Sequence, residues 1–66
     1  MARFNAIFVR LEGLEQSEVG RALELTAETR ETAIAEAASL WRPARANYLK
    51  ITSHGQIISW ISFADG

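Results

Sequence analysis

Apolar residues occupy both sides of the first and last strand-like segments of the chain. In "RFNAIFVRLE", residues 3–12, Phe4, Ala6 and Phe8 share one side and Ile7, Val9 and Leu11 the other. In "QIISWISF", residues 56–63, Ile58 and Trp60 oppose Ile57, Ile61 and Phe63. A strand covered on one face alternates apolar with polar positions. Two apolar sides therefore mean a strand covered on both faces, or one that leaves an apolar side uncovered.

Between them lie three further patterns. "VGRALELTA" fits period 2, with Leu23, Leu25 and Ala27 on one side. A helix over 15–27 is the alternative, since Ala, Leu and Glu all favour helix. That helix would run on to Trp41 with Gly20 inside it and leave the first strand without a hairpin partner, so the strand is preferred. "ETRETAIAEAASLWRP" is the clearest helix. Thr29 is placed to cap it, Glu31 suits its first turn, and Ala33, Ile34, Ala37, Ala38 and Trp41 recur at helical spacing. Arg42 suits its C-terminal end, and Pro43 is its expected stop. "NYLKITSHGQIISWISF" reads as a hairpin about a His54-Gly55 turn, which would set Ser53 against Gln56, Ile51 against Ile58 and Leu49 against Trp60. A longer loop would swap the faces of one strand.

The element order is thus β-β-α-β-β, predicting a single α+β domain over 1–66 with one helix packed on a four-stranded sheet. The first and last strands are the most apolar, as central strands are, while the second and third carry Arg21, Glu24, Lys50 and Thr52, as edges do. This favours the order 2-1-4-3, with the first and last strands parallel in the middle. The order 2-1-3-4 would leave "QIISWIS" as an edge, prone to aggregate unless something pairs with it. The segment "ELTAETRETAIAEA", residues 24–37, resembles the strand-to-helix corner of HicB-like antitoxins, without the third strand and proline-rich turn that precede the helix there. In size and element order the chain is similar to the β-grasp immunoglobulin-binding domains of proteins G and L. That likeness implies an architecture and no binding residue.

Composition adds limits. A chain of 66 residues buries only about 60% of its unfolded surface and gains most from association or tight packing. It has no cysteine, so disulfides and cysteine-held zinc are excluded. The net charge of −1 gives no overall attraction for nucleic acid or anionic membrane. Seven Glu and two Arg in residues 11–36 nevertheless contrast with Arg42, Arg45 and Lys50 in 37–50. The longest early apolar run, Ala6 to Val9, is far too short for a signal peptide or membrane span. A cytoplasmic protein with no membrane partner is expected.

Candidate chemistry is sparse. His54, the one histidine, sits at a turn tip with no acid or nucleophile placed beside it. Glu12, Glu15 and Glu18 would form a carboxylate row only on a helix, and a solvated connection is the simpler reading. Ser39, Ser53, Ser59 and Ser62 lack the partners that activate a nucleophile, and no glycine spacing matches a phosphate loop. No catalytic residue, metal site or cofactor is therefore expected, and the chain is read as a non-catalytic protein-interaction module.

Its surface follows from the second sheet face. With Leu23, Leu25, Leu49, Ile51, Ile58 and Trp60 under the helix, the far face would show Phe4, Phe8, Tyr48, Ile57, Ile61 and Phe63. A contiguous apolar patch on a small domain marks an interaction site, and a homodimer through that open face is the leading expectation, with another protein as the other partner. The bland reading is that Tyr48, Lys50 and their neighbours screen it, or that the termini fold across it. The second function reading is a small nucleic-acid-binding or regulatory protein using "WRPARANY" and Lys50. There Arg42, Arg45 and Lys50 would grip phosphate while Tyr48 stacks on a base.

Overall fold

A computed structural model describes residues 3–63; the ends of the expected 1–66 domain, residues 1–2 and 64–66, lie outside the described residues. Five elements follow one another: β1 (Phe4–Glu12), β2 (Glu15–Leu25), α1 (Arg30–Ala38), β3 (Tyr48–Ser53) and β4 (Gln56–Ser62). The fold is α+β, one helix on a four-stranded sheet. The period-2 segment "VGRALELTA" is a strand as far as Leu25, but the strand begins earlier, at Glu15, so Glu15 and Glu18 lie in an edge strand and not in a polar connection.

The sheet order is β2-β1-β3-β4, with every neighbouring pair antiparallel. This corrects the 2-1-4-3 order of the β-grasp expectation: β3, not β4, lies beside β1. The chain leaves the helix through residues 39–47 and aligns at once on β1, Val9 opposite Tyr48 and Phe4 opposite Ser53. Polar residues on β3 had marked it as an edge. They sit instead on the open face of a central strand, alternating with the buried Leu49 and Ile51.

The β1–β2 hairpin turns at Gly13, whose φ of 60° is one that glycine adopts at no steric cost. Farther along, Ala6 pairs with Leu23 but Phe8 with Val19, so three residues of β2 oppose Ile7 alone. Gly20 takes a φ of 79° inside this irregularity, which bends the outer strand.

Helix α1 starts where expected. The Thr29 side chain accepts from the Thr32 N–H at 3.2 Å, and the Thr29 N–H donates to Thr32 Oγ1 at 3.2 Å, a reciprocal cap. Thr29→Ala is expected to cost about 1 kcal/mol, read as a lower urea midpoint. The other end departs from expectation. The helix stops at Ala38, not beside Pro43, because the Ser39 hydroxyl donates back to the Glu36 carbonyl at 2.7 Å and Leu40 turns in against the core. Trp41 is left 86% exposed and fills no gap in the core, and Ala38 is exposed too. Glu36 ties the helix to the preceding strand, its carboxylate accepting from the Thr26 N–H and hydroxyl at 3.1 Å.

The core lies between helix and sheet. Phe4, Ala6 and Phe8 of β1, Leu25 of β2, and Leu49 and Ile51 of β3 meet Ala33 and Ala37 of the helix and Ala46 of the following loop. Small residues on the helix let it lie close to the sheet, so large strand side chains fill the layer. The helix packs on β3, β1 and β2, and β4 lies beyond them. Among the described residues no helix is long and apolar enough to cross a membrane.

Candidate interaction surface at the β4 edge

The surface is built from the β3–β4 turn onward. His54 and Gly55 both take positive φ, 53° and 79°, the conformation that suits a two-residue hairpin turn. Ser53 accordingly pairs with Gln56 and Thr52 with Ile57. The next pair is Ile51 with Ser59, so Ile58 is an extra residue in β4. Beyond this bulge Lys50 faces Trp60, Leu49 faces Ile61 and Tyr48 faces Ser62.

One extra residue exchanges the two faces of the strand. Trp60, expected beneath the helix, emerges on the open face beside Lys50, while Ile61, expected on the open face, points to the helix side with Leu49. Ile58 and Ile61 are half-buried against the core; Ile57 and Trp60 are 49% and 43% exposed. Tyr48 meets Trp60 edge to face, centroids 6.2 Å apart.

Three aromatic assignments are corrected with it. Phe4 and Phe8 are buried in the core, because β1 turns its Phe4-Ala6-Phe8 side to the helix. Phe63 also belongs to the helix side: it stacks on Phe8 at 6.1 Å, and the Arg42 guanidinium lies 4.8 Å above its ring. Tyr48 and Ile57 are on the open face. Leu23 lies on the helix side but at the sheet's outer margin, exposed.

The open face is less bare than the hydropathy suggests. Val9 is fully buried there, between Tyr48 and Glu18 of the adjacent strands. Lys50, opposite Ile7, has a side chain only 14% exposed and reaches Glu18 at 3.8 Å. Its methylene stem screens the middle of the face while the ammonium stays at the surface. What remains exposed and apolar is a strip along β4.

The two edges of the sheet differ sharply. β2 carries Glu15, Glu18, Arg21 and Glu24 besides its bend at Gly20, the usual devices that keep an edge from pairing. β4, Gln56–Ser62, has no charged residue and no proline. Its bulge is its one protective feature.

The basic candidates are dispersed. Arg42 sits over Phe63 on the helix side, and the Arg45 carbonyl accepts from Arg10 Nη1 at 3.4 Å. Lys50 is across the sheet from Arg42, held by Glu18. His54 is exposed at the turn. Among the described residues no three His, Asp or Glu side chains are grouped to hold a metal.

Asn47 is a structural residue that no sequence pattern marks. Its Oδ1 accepts from the Leu11 N–H at 2.8 Å and its Nδ2 donates to the Leu11 carbonyl at 2.9 Å. The side-chain amide thus extends the β1–β3 ladder beyond Tyr48, and the Asn47 carbonyl accepts from the Phe63 N–H at 3.0 Å. Asn47 places both β1 and the end of β4 against β3. Compared with known proteins, the chain matches no family model, no curated protein and no solved structure.

Proposed function

We propose that the chain is a non-catalytic protein-interaction module whose contact surface is the outer edge of β4 with the adjoining strip of Ile57, Trp60 and Tyr48. The observation that carries this reading is an uncharged edge strand with two large apolar side chains exposed on it. Its backbone groups toward solvent offer hydrogen bonds to an added strand, and its side chains offer the apolar contact that makes such pairing selective. Exposed aromatics are the residues that most often dominate binding energy at interfaces.

Columns carrying the full chain, its Trp60→Glu variant and its Ile57→Glu variant test the proposal. A polypeptide retained by the native chain is expected to bind each variant at least about tenfold more weakly, with circular dichroism showing both variants folded. Equal retention on all three columns overturns the assignment of the surface.

A further inference from the structure

We infer that the polypeptide completing β4 is a second copy of this chain, paired antiparallel through β4 about a two-fold axis near Trp60. The inference rests on the interaction reading above and adds the identity of the partner. It joins two four-stranded sheets into one continuous sheet with both helices on the same side.

The first argument is the two-sided apolarity of β4. The helix covers β3, β1 and β2, so β4 has half-buried Ile58 and Ile61 at the rim of the helix layer. On its other face are exposed Ile57 and Trp60. A strand added outside β4 continues both layers and must itself be apolar on both faces. β4 meets that requirement. Central β1 is already paired on both sides, and edge β2 is polar and charged.

Self-complementarity is the second argument. With the axis at Trp60, each Trp60 lies opposite Trp60 of the partner subunit on the open face and Ser59 lies opposite the partner's Ile61 on the helix side; this matched stretch runs from Ser59 to Ile61 and ends at the Ile58 bulge. No like charges are opposed, because β4 has none. Closure is the third. Joining β4 of one copy to β2 of the next would build an open-ended array, and β2 resists this with its Glu15, Glu18, Arg21 and Glu24 side chains and its bend at Gly20. The closed pair is the arrangement these edges permit.

Sedimentation equilibrium across a micromolar concentration range is the test. The native chain is expected to rise from 7.3 kDa toward 14.6 kDa, twice 7.3. Trp60→Glu is expected to weaken the dimer at least about thirtyfold, since it opposes two carboxylates at the axis. The fold should persist, because position 60 faces Lys50 within its own sheet. Trp60→Arg is likewise expected to be monomeric, and mixing the two variants should restore a dimer. A second measurement does not depend on these variants folding. In the Trp41→Phe variant Trp60 is the sole tryptophan, and its emission should shift to the red on dilution as mass falls.

A native chain that stays monomeric overturns self-pairing. If a different polypeptide is then retained on the column in a Trp60-dependent way, the interaction surface stands and only the partner is wrong. A dimer that survives Trp60→Glu, or whose dissociation leaves Trp60 emission unchanged, uses another surface and overturns the inference. Failure of the mixed variants to associate does the same.

Discussion

The Phe8→Ala variant is expected to be largely unfolded at 25 °C. Phe8 is 3% exposed, sits between Val19 and Leu49 in the two neighbouring strands, and stacks on Phe63. Removing a buried phenylalanine side chain costs about 3–5 kcal/mol, through lost transfer energy and the cavity left behind. A single core in a chain this small rarely supplies more than about 3–5 kcal/mol of net stability. The loss is therefore comparable with the whole. Far-UV circular dichroism and a urea titration would show it as a missing or strongly shifted transition. An unchanged midpoint accompanied by dissociation would return Phe8 to the open face and contradict its burial. By contrast, Trp41→Ala should leave the unfolding free energy within about 0.5 kcal/mol of native, because the ring is almost wholly in solvent.

Asn47→Ala carries the second large effect, about 1–3 kcal/mol. It removes one donor and one acceptor together, leaving the Leu11 N–H and carbonyl, both partly buried, without their partners. Loss is expected first in local order. The Leu11 amide, hydrogen-bonded to Asn47 Oδ1 in the native chain, should exchange close to the rate of an open strand in the variant, while Ile51 amide protection should fall only with global stability. Asn47→Asp is a sharper probe. It keeps an acceptor for the Leu11 N–H but sets a carboxylate oxygen against the Leu11 carbonyl, so it should restore at most half of the loss. A Leu11 amide still protected in Asn47→Ala would show that the side-chain amide does not hold β1 to β3.

Both predictions depend on features of unequal visibility in the sequence. The burial of Phe8 rests on a choice between two nearly equivalent sides of β1. Phe4, Ala6 and Phe8 are no more apolar than Ile7, Val9 and Leu11, and hydropathy could not choose between them. The choice is made by packing. Two rings separated by Ala6 leave room for the helix alanines Ala33 and Ala37, whereas Ile7, Val9 and Leu11 form an even row suited to cover by Tyr48 and Lys50. Asn47 was invisible for a different reason. An asparagine before a strand is commonplace, and its role depends on Leu11, 36 residues away in the chain.

The sequence by itself determined the local elements: the five segments and their order, the Thr29 cap, the His54-Gly55 turn and the apolar character of both sides of β4. Each depends on propensities and spacings within a few residues. Tertiary structure alone decided the neighbours of β1, the face to which Trp60 and Ile61 turn, and where α1 ends. These depend on backbone pairing between segments far apart and on one extra residue, Ile58, accommodated in β4. A bulge changes no composition and little hydropathy, yet it reverses every side chain after it. The last strand stands at an edge of the sheet and not at its centre, with Ile58 and Ile61 against the helix-side core and Ile57 and Trp60 exposed on the other face.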